Sequence, residues 1–250
     1  MQESVVILIN DEATKTDELF LNKSWKLVPI FNKVYSVDVG GEKLKWLVKV
    51  YDKQRHAKKE SSILDKLKNV EGVPKVLAVS LSDSISYVIL SEAPGQDLFE
   101  YINTNGIMTE NEIRNIAEQL LSILYDVHAK KIIHKDLKPE NVVYDQETGK
   151  VTLIDFEEKF TADYCSPEQV EGEKVTTKTD MWSLGVLLYF LATGDVPFEG
   201  DDEILIAPLK LSKKVFGKKF RDFLRSLLER DVDLRYDVED ALTHDWVNGI

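Results

Sequence analysis

Strand-like alternation fills the first ninety residues of this chain, and helical periodicity fills most of the segment after Thr109. That division restricts the fold more than any single residue does, because a period of two and a period of 3.6 cannot share one element. Leu44 to Val50 and Ile85 to Leu90 are strand-like. Further on, Ile113, Ile116, Ala117, Leu120, Leu121, Leu124 and Val127 recur on one helical face, behind the start signal Thr109-Glu110-Asn111-Glu112. This spacing predicts a buried helix. No repeat or low-complexity tract appears, and Ala93-Pro94-Gly95 is the best candidate for a short hinge. The expected architecture is α+β: one domain over 1–250, with a small β-rich lobe over about 1–92, a hinge over about 91–95 and a helical lobe over about 96–250.

Composition bounds the function classes. A 250-residue chain that is 43% hydrophobic and 30% charged can bury a substantial core. Its single cysteine, Cys165, can form no internal disulfide, which fits a reducing cytoplasm or nucleus. The apolar run Val5 to Ile9 is too short for a membrane span and comes after Glu3 rather than a basic cluster, so it reads as an edge strand. The net charge of −12 argues against nucleic-acid binding by phosphate neutralisation and favours basic partners. Composition leaves the oligomeric state open.

The chemistry concentrates in His134-Lys135-Asp136-Leu137-Lys138-Pro139-Glu140-Asn141, with Asp155-Phe156-Glu157 beginning fourteen residues past Asn141. Together they offer a carboxylate, an ammonium, an amide and a second carboxylate, a set suited to phosphoryl transfer. The run resembles the catalytic loop and metal-binding motif of the eukaryotic protein kinase family. The resemblance implies a bilobal kinase fold in which Asp136 accepts or orients the proton of the substrate hydroxyl and Lys138 neutralises the transferred phosphoryl group. Asn141 and Asp155 would hold Mg2+ or Mn2+, since hard cations prefer oxygen ligands. His134 would support the loop.

The resemblance extends in both directions. Val48-Lys49-Val50 matches the strand lysine that holds the ATP α and β phosphates, and Glu60 matches the helix carboxylate that pairs with it. Val34 matches the valine ending the phosphate-covering loop and Phe31 the aromatic at its tip, yet Leu27, Pro29 and Asn32 stand where the family has glycine. Side chains there obstruct backbone approach to phosphate, so weaker ATP binding is expected. Gly40-Gly41 reads as a hairpin turn rather than a substitute. Leu90 falls at the gatekeeper, Glu92 and Ala93 would offer backbone groups to adenine, and Val143 would lie beneath it. Asp97 and Glu140 resemble carboxylates that meet ribose or basic residues of the substrate.

Thr161, leading into Ser166-Pro167-Glu168, resembles the substrate-docking segment of kinases acting on serine or threonine, and the resemblance implies an ion pair between Glu168 and Arg235. The match continues through Asp180-Met181-Trp182-Ser183-Leu184-Gly185 to His244-Asp245-Trp246. Only five residues separate Asp155 from Thr161, so an activation loop is nearly absent, and Lys135 replaces the arginine that usually receives its phosphate. Glu157 replaces a glycine and is open to three readings: a lock on one state, an oxygen near the metal, or a solvated acid. The implied function is an ATP-dependent serine/threonine protein kinase that needs no loop phosphorylation and acts on basic proteins. The alternatives are a pseudokinase that binds partners and a kinase for small molecules, the latter disfavoured by the docking segment.

Overall fold

The computed structural model describes residues 5–8, 25–31, 33–39, 41–156, 160–213 and 216–250. Asn32, Gly40 and Glu157 lie outside the described residues, as does the side chain of Phe31. The described chain divides into two compact units, one reaching to Asn69 and including Val73–Ala93, the other comprising Val70–Gly72 and Pro94–Ile250.

The first unit is an antiparallel sheet with one helix. Its strands are β1 (Val5–Leu8), β2 (Trp25–Phe31), β3 (Val34–Val39), β4 (Glu42–Tyr51), β5 (Val76–Leu81) and β6 (Ser86–Ser91), and helix α1 (Gln54–Lys66) falls between β4 and β5. The sheet order is β1-β5-β6-β4-β3-β2, so β1 is an edge strand, as its sequence suggests. Strand β4 lies inside, pairing with β3 and with β6, and this fixes Lys49 opposite Val34 on one side and Val88 on the other. Val37, Val48, Leu77, Ala78 and Ile89 form the buried cluster on the sheet. Helix α1 buries Ala57, Glu60, Ser61 and Leu64, a three-and-four spacing that turns one stripe inward. The β3–β4 turn uses Gly41 at φ 91°, with its N–H donated to the Asp38 carboxylate.

The second unit is mainly helical, with a small three-stranded sheet. In chain order it contains β7 (Gln96–Asp97), α2 (Leu98–Asn105), α3 (Glu110–Ala129), β8 (Val142–Asp145), β9 (Lys150–Leu153), α4 (Pro167–Val170), α5 (Thr177–Thr193), α6 (Gly200–Ile206), α7 (Lys218–Leu227) and α8 (Val238–Thr243). Helix α3 starts with a reciprocal capping box between Thr109 and Glu112 and buries all seven apolar residues of its expected face, together with Ile123. Helix α5 is buried nearly all round, which makes it the axis of this unit. Strands β7, β8 and β9 pair antiparallel, and the β8–β9 register sets Val142 opposite Leu153. The catalytic-loop residues therefore lead directly into one strand, and Asp155 comes just after the strand beside it.

Gly95 opens this unit at φ 109°, where a Cβ would fall 2.1 Å from the Tyr144 carbonyl oxygen. Substituting Gly95→Ala adds both backbone strain and a contact with main chain that has no rotamer to yield. The variant is expected to lose roughly 2 kcal/mol or more, read as a lowered thermal-unfolding midpoint. Gly149→Ala, also at positive φ but with open space around it, carries the strain without the clash and should fall less.

Candidate active site

The first unit supplies an ammonium–carboxylate pair. Lys49 Nζ lies 3.0 Å from Glu60 Oε1, with the lysine side chain 13% and the glutamate 2% exposed. Strand β4 fixes the Lys49 backbone, and α1 presents Glu60 from its buried stripe, so two elements hold the pair. Leu90 is buried in β6 opposite Leu47. Glu92 forms an ion pair with Lys43 at 2.7 Å, and its N–H donates to the Lys45 carbonyl oxygen at 3.0 Å. Of the backbone groups assigned there to adenine, the Glu92 N–H is thus spent on extending the sheet, leaving its carbonyl. Leu27 and Pro29, two of the three positions where the family has glycine, lie within strand β2.

In the second unit the catalytic-loop residues converge. Lys138 Nζ donates to Thr161 Oγ1 at 2.6 Å, Thr161 Oγ1 donates to Asp136 Oδ1 at 2.7 Å, and Lys138 Nζ stands 3.4 Å from Asp136 Oδ2. Asn141 Nδ2 donates to the Asp136 carbonyl oxygen at 2.7 Å and to its Oδ2 at 3.1 Å. These two bonds use the Asn141 side-chain nitrogen, so its Oδ1 is the atom that would face a cation. Ile154 N–H donates to the Asn141 main-chain oxygen at 2.9 Å, bringing Asp155 into the same neighbourhood. An amide oxygen and a carboxylate are donors that fit a hard divalent cation. Among the described residues no group of three or more His, Cys, Asp or Glu is placed to hold a metal ion.

The loop backbone is held from beneath by Asp180 on α5, a residue with no exposure that stands out in the sequence only as part of a motif. Its Oδ2 accepts the His134 N–H at 2.9 Å and its Oδ1 the Lys135 N–H at 2.8 Å. His128 Nε2 donates to Oδ2 at 2.8 Å, a partnership that no local sequence signal announces. His134 Nδ1 accepts the Asp136 N–H while Nε2 donates to the Ile154 carbonyl oxygen, so the network assigns the Nε2–H tautomer. The ring also meets Phe156 edge-on at 4.7 Å. This is the supporting position expected for His134. Lys135 and Asp155 take φ of 74° and 65°, left-handed conformations that non-glycine residues hold only when their surroundings enforce them.

The remaining sequence candidates are placed less centrally. Asp97 Oδ1 accepts the Glu100 N–H at 2.8 Å as the N-cap of α2, which occupies one oxygen of that carboxylate. Glu140 is exposed, Val143 is half-buried opposite Thr152, and Val34 is half-buried in β3. Tyr164 is buried among Trp182, Val186, Phe198, Ile204 and Leu228, and burial pushes its hydroxyl well above the usual range. Burial, helped by the carboxylates of Asp136, Asp201 and Asp163, pushes the Cys165 thiol up to about 11, so it remains protonated and a poor nucleophile near neutrality.

These two constellations, on an antiparallel sheet unit and a helical unit, are those of the protein kinase family, to which the chain belongs. The family model for the protein kinase domain matches residues 32–247. A probable myosin light chain kinase of Dictyostelium discoideum is 33% identical over 192 residues, covering 68% of this chain and 40% of that protein. The calcium/calmodulin-dependent protein kinase type 1 of Caenorhabditis elegans is 28% identical, covering 82% of this chain and 67% of that protein. The serine/threonine-protein kinase pim-2 of Danio rerio is 32% identical, covering 64% and 56% respectively. Several of the curated relatives are matched over about half their length or less.

The Glu168–Arg235 pair closes the segment that begins at Thr161. Arg235 Nη1 donates to Glu168 Oε1 and Nη2 to Oε2, each at 2.9 Å, Thr179 Oγ1 donates to Oε1 at 2.8 Å, and the guanidinium lies 5.2 Å from the Trp182 ring. Burial alone would raise the Glu168 carboxyl, but the hydrogen bonds and charge of Arg235 outweigh it and hold the group below the ordinary carboxylate range. A depressed folded pKa means the pair's stabilisation is complete above the unfolded value, about 4.3, and disappears as pH falls through the lower folded value. Glu168→Gln is therefore expected to be destabilised by about 3–5 kcal/mol at pH 7, with the gap to the parent closing in strongly acidic solution. Chemical denaturation at pH 7, 5 and 3 measures this, and a gap that widens on acidification would contradict the assignment.

Proposed function

We propose that this chain is an ATP-dependent serine/threonine protein kinase that transfers the γ-phosphate to a Ser or Thr hydroxyl without requiring activation-loop phosphorylation. The observation that carries the reading is the convergence of Lys138 and Thr161 on the Asp136 carboxylate. Asp136 accepts or orients the acceptor hydroxyl's proton. Lys138, held between Asp136 and Thr161, faces the charge of the moving phosphoryl group, and such fixed charges carry most of this reaction's acceleration. Lys49, oriented by Glu60, meets the nucleotide phosphates. Asn141 and Asp155 would hold magnesium or manganese, which supplies charge neutralisation on the phosphates when bound.

Independence from loop phosphorylation is supported by the state of the segment's own hydroxyls. Thr161 Oγ1 is engaged on both sides, and Tyr164 is buried. Basic protein substrates are supported by the net charge of −12 and by exposed Glu140, through electrostatic steering. A cytoplasmic or nuclear setting accords with the lone Cys165, which asks for no oxidising compartment. The second reading, a pseudokinase that binds partners, is favoured by Leu27 and Pro29 in β2, where side chains and a missing N–H reduce the backbone's capacity to hold phosphate.

Phosphate transfer from labelled ATP to a basic protein substrate separates the two readings. Asp136→Asn is expected to lower the rate about 10²–10⁴-fold and Lys49→Ala about 10²-fold or more, while equal signal in parent and variants would overturn the enzyme reading. Thr161 offers a finer check. Thr161→Ser keeps the hydroxyl and is expected to retain most activity, whereas Thr161→Val should lose about tenfold or more in kcat. Phosphate found on Thr161 by mass spectrometry and required for activity would overturn the claim of loop independence.

A further inference from the structure

Helix α1 carries a charge distribution that neither its own stability nor the proposed reaction explains. Between Lys53 and Lys68 the chain has six basic residues and two acidic ones, a stretch of net +4 in a protein of net −12. Both acids are already engaged: Glu60 is buried against Lys49, and Asp65 lies 3.4 Å from Lys68. Lys53, Arg55, Lys58, Ser62 and Lys66 are all exposed. On the helical wheel Arg55, Lys58, Ser62 and Lys66 lie opposite the buried stripe of Ala57, Glu60, Ser61 and Leu64. From Arg55 to Lys66 this face runs about 16 Å at 1.5 Å per residue.

The placement works against the helix. Cations near an N-terminus oppose the macrodipole, and α1 has Lys53 as its N-cap, Arg55 in its first turn and no acid there. Lys53 provides no side-chain cap. Arg55 and Lys58 stand three apart, where like charges repel by a few tenths of a kcal/mol. Solubility is served as well by mixed signs, which would remove these costs, and the protein's excess charge already has the other sign.

We propose that the outward face of α1 is a docking surface for an acidic polypeptide segment, one whose Asp and Glu side chains lie along Arg55, Lys58 and Lys66. Charge complementarity selects the occupant. No large apolar side chain is exposed on this face, which disfavours insertion into a lipid interface. A nucleic acid carries its phosphate charge well beyond this face onto a protein of net charge −12, whereas a short acidic segment can lie within the basic face, where local attraction outweighs the screened net charge. Carboxylates settling near Lys53 and Arg55 also relieve the dipole conflict at the start of the helix. The same helix holds Glu60, so an occupied outer face bears on the element that orients Lys49. Binding itself does not depend on catalysis.

The test is fluorescence anisotropy of a labelled twelve-residue poly-glutamate peptide titrated with the full chain at about 0.1 M salt, where fields beyond about 10 Å are screened. Saturable binding that weakens as salt rises is expected, and a triple reversal, Arg55→Glu, Lys58→Glu and Lys66→Glu, should weaken it about tenfold or more. Circular dichroism verifies that the reversed chain folds. The neutral set Arg55→Gln, Lys58→Gln and Lys66→Gln provides a milder variant expected to weaken binding in the same direction. No saturable binding, or binding indifferent to both variants, overturns the proposal. So does tighter binding of a twelve-base-pair DNA duplex or of phosphatidylserine vesicles, lost with the same substitutions.

Discussion

Three donors meet on one carboxylate that has no contact with solvent: the His134 and Lys135 N–H groups and the His128 ring all point at Asp180. A buried anion without partners would be prohibitively costly, so the helix that carries Asp180 and the loop that supplies two of the donors cannot separate cheaply. The neighbouring geometry depends on this anchor. Lys135 is held in a left-handed conformation between His134 and Asp136, and His134 turns Nδ1 to the Asp136 N–H and Nε2 to the Ile154 carbonyl. The carboxylate at Asp136 is aimed by backbone that has little freedom left.

Above the anchor the polar contacts are mutual. Asp136 receives Thr161, Asn141 and Lys138, and Lys138 is shared with Thr161, so no one of these side chains can reorient without leaving another unsatisfied. Such networks are rigid because the low local dielectric makes each lost partner costly. In the other unit the same logic appears on a smaller scale, with Lys49 on a central strand and Glu60 on a buried stripe. Charged groups fixed in advance are what phosphoryl transfer demands of a protein, since the reaction needs little covalent help.

Some of this was legible in the chain. The seven apolar positions of α3 and its capping box are local periodic signals, and they hold residue for residue because a helix of twenty residues repeats its pattern enough to be unambiguous. The ion pairs Lys49–Glu60 and Glu168–Arg235 were recoverable only through family resemblance, since eleven and sixty-seven residues separate the partners. His128 was missed because nothing local distinguishes a histidine facing a buried carboxylate from one facing water. Asp97 shows the opposite difficulty: a carboxylate that resembles a ligand contact turns out to begin helix α2, and the cap takes one oxygen. For Glu92, the sheet's continuation claims one of the two backbone groups that family resemblance would offer to adenine, its N–H.

By itself, the sequence determined helix α3, the strand-like segments Leu44–Val50 and Ile85–Leu90 and the chemical groups available, because periodicity, capping and residue type act over a few neighbouring positions. It also determined what the phosphate-covering segment lacks. Only the tertiary structure decided that Lys138 and Thr161 share Asp136, that Asp180 carries the loop, and that the basic residues of α1 face outward together. Those outcomes depend on which distant backbone arrives beside each group and on the cost of burying a charge or an N–H without a partner.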